Sequence, residues 1–528
     1  MKKKIVVLIL ITIMILAYLS LQSFKIRGEA AQTYIKALPT SSQVLVNGNQ
    51  LKLEAYNING NNYFKLRDIA FALDGSAKQF DVVWNANRGS IDLLTGKVYT
   101  AFGGELSVPA SPSSKMSLLS SSKIYVDGIV KSIAAYNING NNYFQLRDLG
   151  RTINFKVSWN GSANAIVIDT TKDYGQQFFV STDGNDKNQG TITNPWRTIQ
   201  KAANSAFPGD TIFIRGGTYN EHVVLKISGT SESYITFSNY GGEAAIVDGT
   251  GIDWGKSGAL FDVSGTAYIK ILGLRIINSS WAGIGTPFIG ANNIIIKNCS
   301  TYRTQTSGII ITNGSNIIVD GNTIDTPNLY PQDEGLSISH VDTFEVKNNT
   351  IINAKKESLD AKDGSKNGKI YNNIIRDGAG VGIYIDAFSR TSGNIEIYNN
   401  SVTNCTYGIW LANETGGLLT DINTHHNTVS YCQIGMGIGY YFESYAHPME
   451  DISFSYNTLS WIISRGVSLE NPEAKNISIT NNILDGTNDC IPIYLGGGNS
   501  AETYIDGNAL NKVVTGQPTG SNFTLINK

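Results

Sequence analysis

The sequence predicts a mainly β protein, with a parallel β-solenoid over residues 176–528 and two small α+β modules ahead of it, over 40–96 and 120–170. Three observations predict it. An asparagine-rich column recurs at a solenoid's period, a ten-residue stretch is duplicated unchanged upstream, and the composition suits strands joined by tight turns. Gly (54) and Tyr (26) are abundant while Pro numbers only 12, which favours short strands with sharp corners.

In chain order, Met1-Lys-Lys-Lys4 precedes an apolar run from Ile5 to about Leu21. A positive start followed by such a run is the pattern of an export signal, and the run is nearly long enough to span a bilayer. Residues 1–30 are therefore expected to be a signal peptide or an amino-terminal anchor. The lysines place the body outside the cytoplasm in either case, so the protein is expected to be secreted or held at the cell surface.

The duplicated stretch is Ala55-Tyr-Asn-Ile-Asn-Gly-Asn-Asn-Tyr-Phe64, which recurs at Ala135–Phe144; Leu66-Arg-Asp68 recurs as Leu146-Arg-Asp148. Each copy reads as strand, Asn-Gly turn, strand, short helix, a strand carrying Trp84 or Trp159, and a last strand. This unit resembles the stalk domain named after the copper amine oxidase N-terminal domain. The resemblance implies a spacer or cell-wall attachment module. No copper is expected, because neither copy contains a histidine or cysteine to ligate it.

Charge excludes one class of partner. With 41 basic and 43 acidic residues and a net charge of −2, nothing in the chain forms a basic face for nucleic acid. A monomer is expected. Four cysteines are too few for a disulfide scaffold. Cys405 and Cys432 fall at matching places in adjacent repeats, where stacked thiols are expected rather than a bond.

The solenoid opens with Phe179-Val-Ser-Thr-Asp-Gly-Asn-Asp186 and Asn194-Pro-Trp-Arg-Thr-Ile-Gln-Lys-Ala-Ala203. A strand is expected first, then a helix from Trp196 to Ala203 that covers the open end of the first coil. The column that follows holds Cys299, Asn322, Asn349, Asn373, Asn400, Asn427, Asn457, Asn482 and Asn508, spaced 23 to 30 residues apart. That period suits one coil of a parallel β-helix. Stacked amides hydrogen-bond to each other and to the turn backbone, which accounts for asparagine at buried corners. From Phe178 onward the chain resembles the right-handed parallel β-helix proteins of the pectate-lyase-like superfamily, and its opening is similar to that of family 9 pectate lyases. The resemblance implies a right-handed coil and an extracellular polysaccharide as substrate.

One strand per coil reads Gly-h-x-h-x, with h inward and x outward. Stacking places Ser337, Asp360, Tyr384, Trp410, Gly437 and Ser468 in one outward column, and Ser339, Lys362, Asp386, Ala412, Gly439 and Glu470 in the next. Coils about 4.8 Å apart gather these charges into one patch, with Glu334 and Glu357 at its leading edge and Glu414 beyond it. Tyr384, Trp410 and Tyr440 offer flat faces to sugar rings, and Arg390 and Glu470 offer polar contacts; His447 lies in a loop beside the groove.

Glu357 and Lys362 repeat the Glu-to-Lys step of the alginate lyase and chondroitinase B family. By that resemblance Lys362 is the base of a β-elimination on a uronic-acid glycan, and Glu357 holds calcium. Glu334, Asp360 and Asp363 supply further acids for the metal. Without a metal, the surrounding carboxylates keep a lysine charged and make it a poor base. Two readings stay open beside this one. Asp386 and Glu414, about 8 Å apart on strand geometry, suit the proton donor and base of an inverting glycoside hydrolase. A glycan-binding or structural surface protein needs no catalysis. Because Lys362 points outward, its replacement by alanine is expected to leave folding nearly unchanged.

Overall fold

The computed structural model describes residues 34–40, 43–131, 133–160, 165–172, 174–231, 233–253, 255, 258–330, 333–440, 448–496, 502–510 and 523–525. The expected export segment, 1–30, and the loop bearing His447 lie outside the described residues. Two compact units meet in sequence at Tyr174 and Gly175.

In the first unit the two sequence copies interleave. A closed six-stranded barrel takes Tyr34–Pro39, Ala55–Ile58 and Asn61–Lys65 from one copy, and Lys115–Leu119, Ala135–Ile138 and Asn141–Gln145 from the other. Phe64 pairs with Phe144, Tyr63 with Gln145 and Lys65 with Tyr143, so a pseudo-twofold axis passes between the two equivalent phenylalanines. The flanking sheets are shared as well: Ser90–Leu93 runs parallel to Lys123–Val126, and Gln43–Val46 parallel to Ala165–Ile168. Neither copy completes a sheet alone. Each supplies one helix, α1 (Leu66–Leu73) or α2 (Leu146–Ile153), packed into the common core.

The second unit is a parallel solenoid with three strand faces. Its covering helix, α3, spans Ile199–Ser205 rather than 196–203. The shift has a local cause. Thr198 caps the helix by accepting the Lys201 N–H at 3.1 Å, and Trp196 is spent on the core, stacked on Phe178 at 4.7 Å. Ile199, Ala202 and Ala203 turn onto the first coil and are buried.

Corners between faces recur at left-handed residues. Asn298, Asn348, Asn372, Asn399 and Asn481 all have φ near +55°, a region asparagine tolerates better than most side chains do. One residue further on runs the buried ladder. Each ladder carbonyl, as in Asn373, accepts the backbone and side-chain N–H of the preceding asparagine at 3.0 Å, while its own amide donates to Val346 O and Asn400 Oδ1. The column begins at Cys299, whose N–H donates to Asn322 Oδ1 at 2.9 Å. Inward positions carry Ile, Val, Leu and Phe in one continuous core. Cys405 and Cys432 are buried free thiols.

The face that matters for function is built from β1 (Leu336–Lys347, which bends to serve two faces), β2 (Leu359–Lys362), β3 (Val381–Asp386), β4 (Tyr407–Asn413), β5 (Ile434–Tyr440) and β6 (Arg465–Leu469). Register runs Ser337–Asp360–Tyr384–Trp410–Gly437–Ser468 across them, and Ser339–Lys362–Asp386–Ala412–Gly439 beside it. The first is the column that repeat alignment predicts; the second matches as far as Gly439, and Glu470 falls one residue beyond the end of β6.

Candidate active site

On β2, Leu359 and Ala361 enter the core, leaving Asp360 and Lys362 on the outer face. Outer does not mean exposed here. Asp360 has no accessible surface, Asp386 has 2% and Glu334 has 5%. The Lys362 ammonium lies between carboxylates, 2.5 Å from Glu334 Oε2 and 3.1 Å from Asp360 Oδ2. A second lysine, Lys356, bridges Glu334 Oε1 and Glu357 Oε2 at 3.1 Å each. Replacing Lys362 by alanine therefore strips buried acids of their counter-charge, and the expectation of an undisturbed fold gives way to one of marked destabilisation.

Electrostatics separates the acids. Burial opposes charge on Glu334, yet Lys362 and Lys356 together hold its pKa below the usual carboxylate value. Burial and the neighbouring Glu334 push Asp360 up to about 7, against the pull of Lys362. Asp386 rises further, to about 9, through burial and then the charge of Glu414. Its buried Oδ1 finds no hydrogen-bond partner among the described residues. Burial disfavours the Lys362 cation, but Asp360 and Glu334 outweigh it and hold its pKa well above the usual value. The Tyr384 hydroxyl donates to Glu414 Oε1 at 2.6 Å. Burial, Asp386 and Glu414 keep Tyr384 itself protonated.

The remaining candidates occupy distinct places. Trp410 lies across the next coil, where a Cβ on Gly437 or Gly439 would come within 2.7 or 2.5 Å of the indole; the two glycines form the seat of that ring. Asp363, at φ +43°, is turned aside: its Oδ1 accepts from Ser389 N and Oγ, and its Oδ2 pairs with Arg390 at 2.9 Å. Arg390 is thereby held at the rim of the patch. Glu470 belongs to a separate pair with Arg465 at 2.5 Å, coils away from Asp386. Tyr440 ends β5; its side chain lies outside the described residues. Sequence reasoning missed Lys356, which precedes β2 and shows no repeat periodicity. Its one signal is adjacency to Glu357.

The donors named for calcium do not fit that ion as arranged. Glu334, Glu357 and Asp360 each face a lysine ammonium, Asp363 faces Arg390, and among the described residues no three acids converge on a point that could hold a metal. No chemical step below passes through a metal.

Residues 178–326 match the model of the Pel9A-like right-handed beta helix region, and residues 257–424 that of the right-handed beta helix region. The body of the chain is a right-handed parallel β-helix. The uncharacterized protein YwoF of Bacillus subtilis (strain 168) is 26% identical over 320 residues, 51% of this chain and 67% of that one. Pectate lyase PEL9 of Emericella nidulans is 41% identical over 73 residues, 13% of this chain and 18% of its own. The match to PEL9 thus spans under a fifth of that protein. Among solved structures, a polygalacturonase from Erwinia carotovora ssp. carotovora is 15% identical, with a TM-score of 0.47 over 61% of this chain and 95% of its own.

Proposed function

We propose that the outer face of β2–β4 hydrolyses an extracellular polysaccharide, with Asp386 as proton donor and Glu414 as base. The observation that carries this reading is a buried acid held neutral beside a second carboxyl. Asp386 is buried and neutral up to about pH 9, while Glu414 accepts the Tyr384 hydroxyl. Paired carboxyls with environments that push them apart are the usual sign of an acid and a base.

In the step proposed, Asp386 gives its proton to the glycosidic oxygen as the bond from C1 to that oxygen breaks. Water attacks C1 from the opposite side, and Glu414 takes the proton that water releases. Asp386 pairs in register with Ala412, and Glu414 follows two residues on, just past the end of β4; inversion of the anomeric centre requires that the two carboxyls leave room for a water between them. Trp410 offers its indole to a sugar ring. The name pectate lyase, borne by PEL9, agrees with such a substrate. The charged start of the chain agrees with action outside the cell.

Elimination by Lys362 is disfavoured, since that ammonium is locked in its protonated state and a cation accepts no proton. Products decide the chemistry. Incubation with polygalacturonate, alginate and neutral xylan is expected to yield new reducing ends without an ultraviolet-absorbing unsaturated terminus. In Asp386→Asn that yield is expected to fall by about 10²–10⁴-fold. An absorbing product would transfer the site to β-elimination, and full activity in Asp386→Asn would remove Asp386 from the chemistry.

A further inference from the structure

The interleaving of the amino-terminal copies creates two equivalent clefts, each assembled from both copies. In the first, of about 170 Å³, the Asn-Gly hairpin tip of the second copy (Asn141, Asn142) faces Lys65, Arg67 and Trp84 of the first. In the other, of about 290 Å³, Asn61 and Asn62 of the first copy face Gln145, Arg147 and Ser158 of the second. The pseudo-twofold axis at Phe64 and Phe144 exchanges them. We propose that these clefts are a pair of binding sites for an acidic polysaccharide strand, so that the amino-terminal unit grips glycan at two points.

Features common to both clefts point to such a ligand, and others are peculiar to the first. Helices α1 and α2 open into them, and neither carries a side-chain cap: Lys65 and Gln145 occupy the cap positions without bonding the helix N–H groups. Those orphan donors and the arginine one residue inside each helix favour an anion or a hydroxyl oxygen. Asn142 Oδ1 in the first cleft is buried and has no hydrogen-bond partner, whereas its counterpart Asn62 Oδ1 accepts from Asn57 at 3.1 Å. Trp84 stands 54% exposed at the same cleft, where its indole is open to a sugar ring. Carboxylate groups on the sugar suit the cations, and the ring's C–H face suits the indole.

The two clefts differ at one charge: Lys65 in the first is Gln145 in the second. The first cleft is therefore expected to bind the tighter and to be the more sensitive to salt.

The test uses the full chain carrying Asp386→Asn, so that binding is read without turnover, in gels containing polygalacturonate, alginate or xylan. Retardation is expected on the two acidic polymers and is expected to weaken at high salt. Trp84→Ala should raise the apparent Kd about fivefold, Arg147→Ala about threefold, and Arg67→Ala with Arg147→Ala at least tenfold, with circular dichroism and melting of the variants matching the parent. Equal retardation of that double variant would overturn the proposal, as would retardation on none of the acidic polymers. Should the chain prove unable to cleave any glycan while cleft variants still lose retardation, the hydrolase reading fails and the clefts stand. If the double variant misfolds, Asn142→Leu, which fills the first cleft from a hairpin tip, must reproduce a loss of several fold or the proposal falls.

Discussion

Asp386 shows how a single side chain ties stability to function. A carboxyl kept neutral up to about pH 9 in the folded state has an ordinary value near 3.9 when unfolded. Between those two values the folded state holds more protons than the unfolded one, so stability from this residue falls as pH rises through the window. Below about pH 4 both states are protonated and the effect vanishes. Asparagine carries no such charge. Asp386→Asn is accordingly expected to melt about 3 °C above the parent at pH 8 and level with it at pH 4, even though turnover is lost. Melting curves across that range check it, and an equal gap at both pH values would show that Asp386 is not buried in neutral form. At this scale the sequence was a partial guide. Outward alternation on β2 and β3 made the acids and Lys362 legible, because strand periodicity assigns faces directly. It could not show that neighbouring coils bury those faces, nor that Asp363 turns to Ser389 and Arg390, because side-chain direction at a left-handed corner follows no alternation.

At the scale of elements, the asparagine ladder was the most legible feature of the chain. Its column could be read because each coil spends one buried corner on a side chain with both a donor and two acceptor sites. Asn373 takes part in four side-chain hydrogen bonds with Asn349, Val346 and Asn400. Alanine at this position leaves buried donors and an acceptor unpaired, at about 1–3 kcal/mol for each group left without a partner. Asn373→Ala is expected to lose about 3 kcal/mol in denaturant unfolding, with a loss below 1 kcal/mol showing that water replaces the amide. The interleaved hairpins were not legible for the opposite reason. Two copies of Ala55–Phe64 offer the same partners within and between copies, so pairing patterns that differ in space coincide in sequence. The helix α3 was placed three residues early because Trp196 reads equally well as a first helical residue or as core.

For the whole molecule, the two units have different stabilising logic. The amino-terminal unit closes through sheets and a barrel to which both copies contribute, so it is expected to unfold all at once. The β-helix is close to one-dimensional: each coil touches its neighbours, and its free energy is roughly a sum of coil and interface terms. Their hydrophobic cores are separate, Val44 through Ile168 in one and Phe178 through Leu510 in the other. Calorimetry on the full chain is therefore expected to show two transitions. Asn373→Ala, at the centre of the solenoid, should lower one of them by roughly 5 °C and leave the other in place. Acidic polysaccharide should raise both, since each unit is proposed to bind it and a ligand bound only by a folded unit stabilises that unit by mass action. A single transition that moves as a whole in Asn373→Ala would mean that the units unfold together.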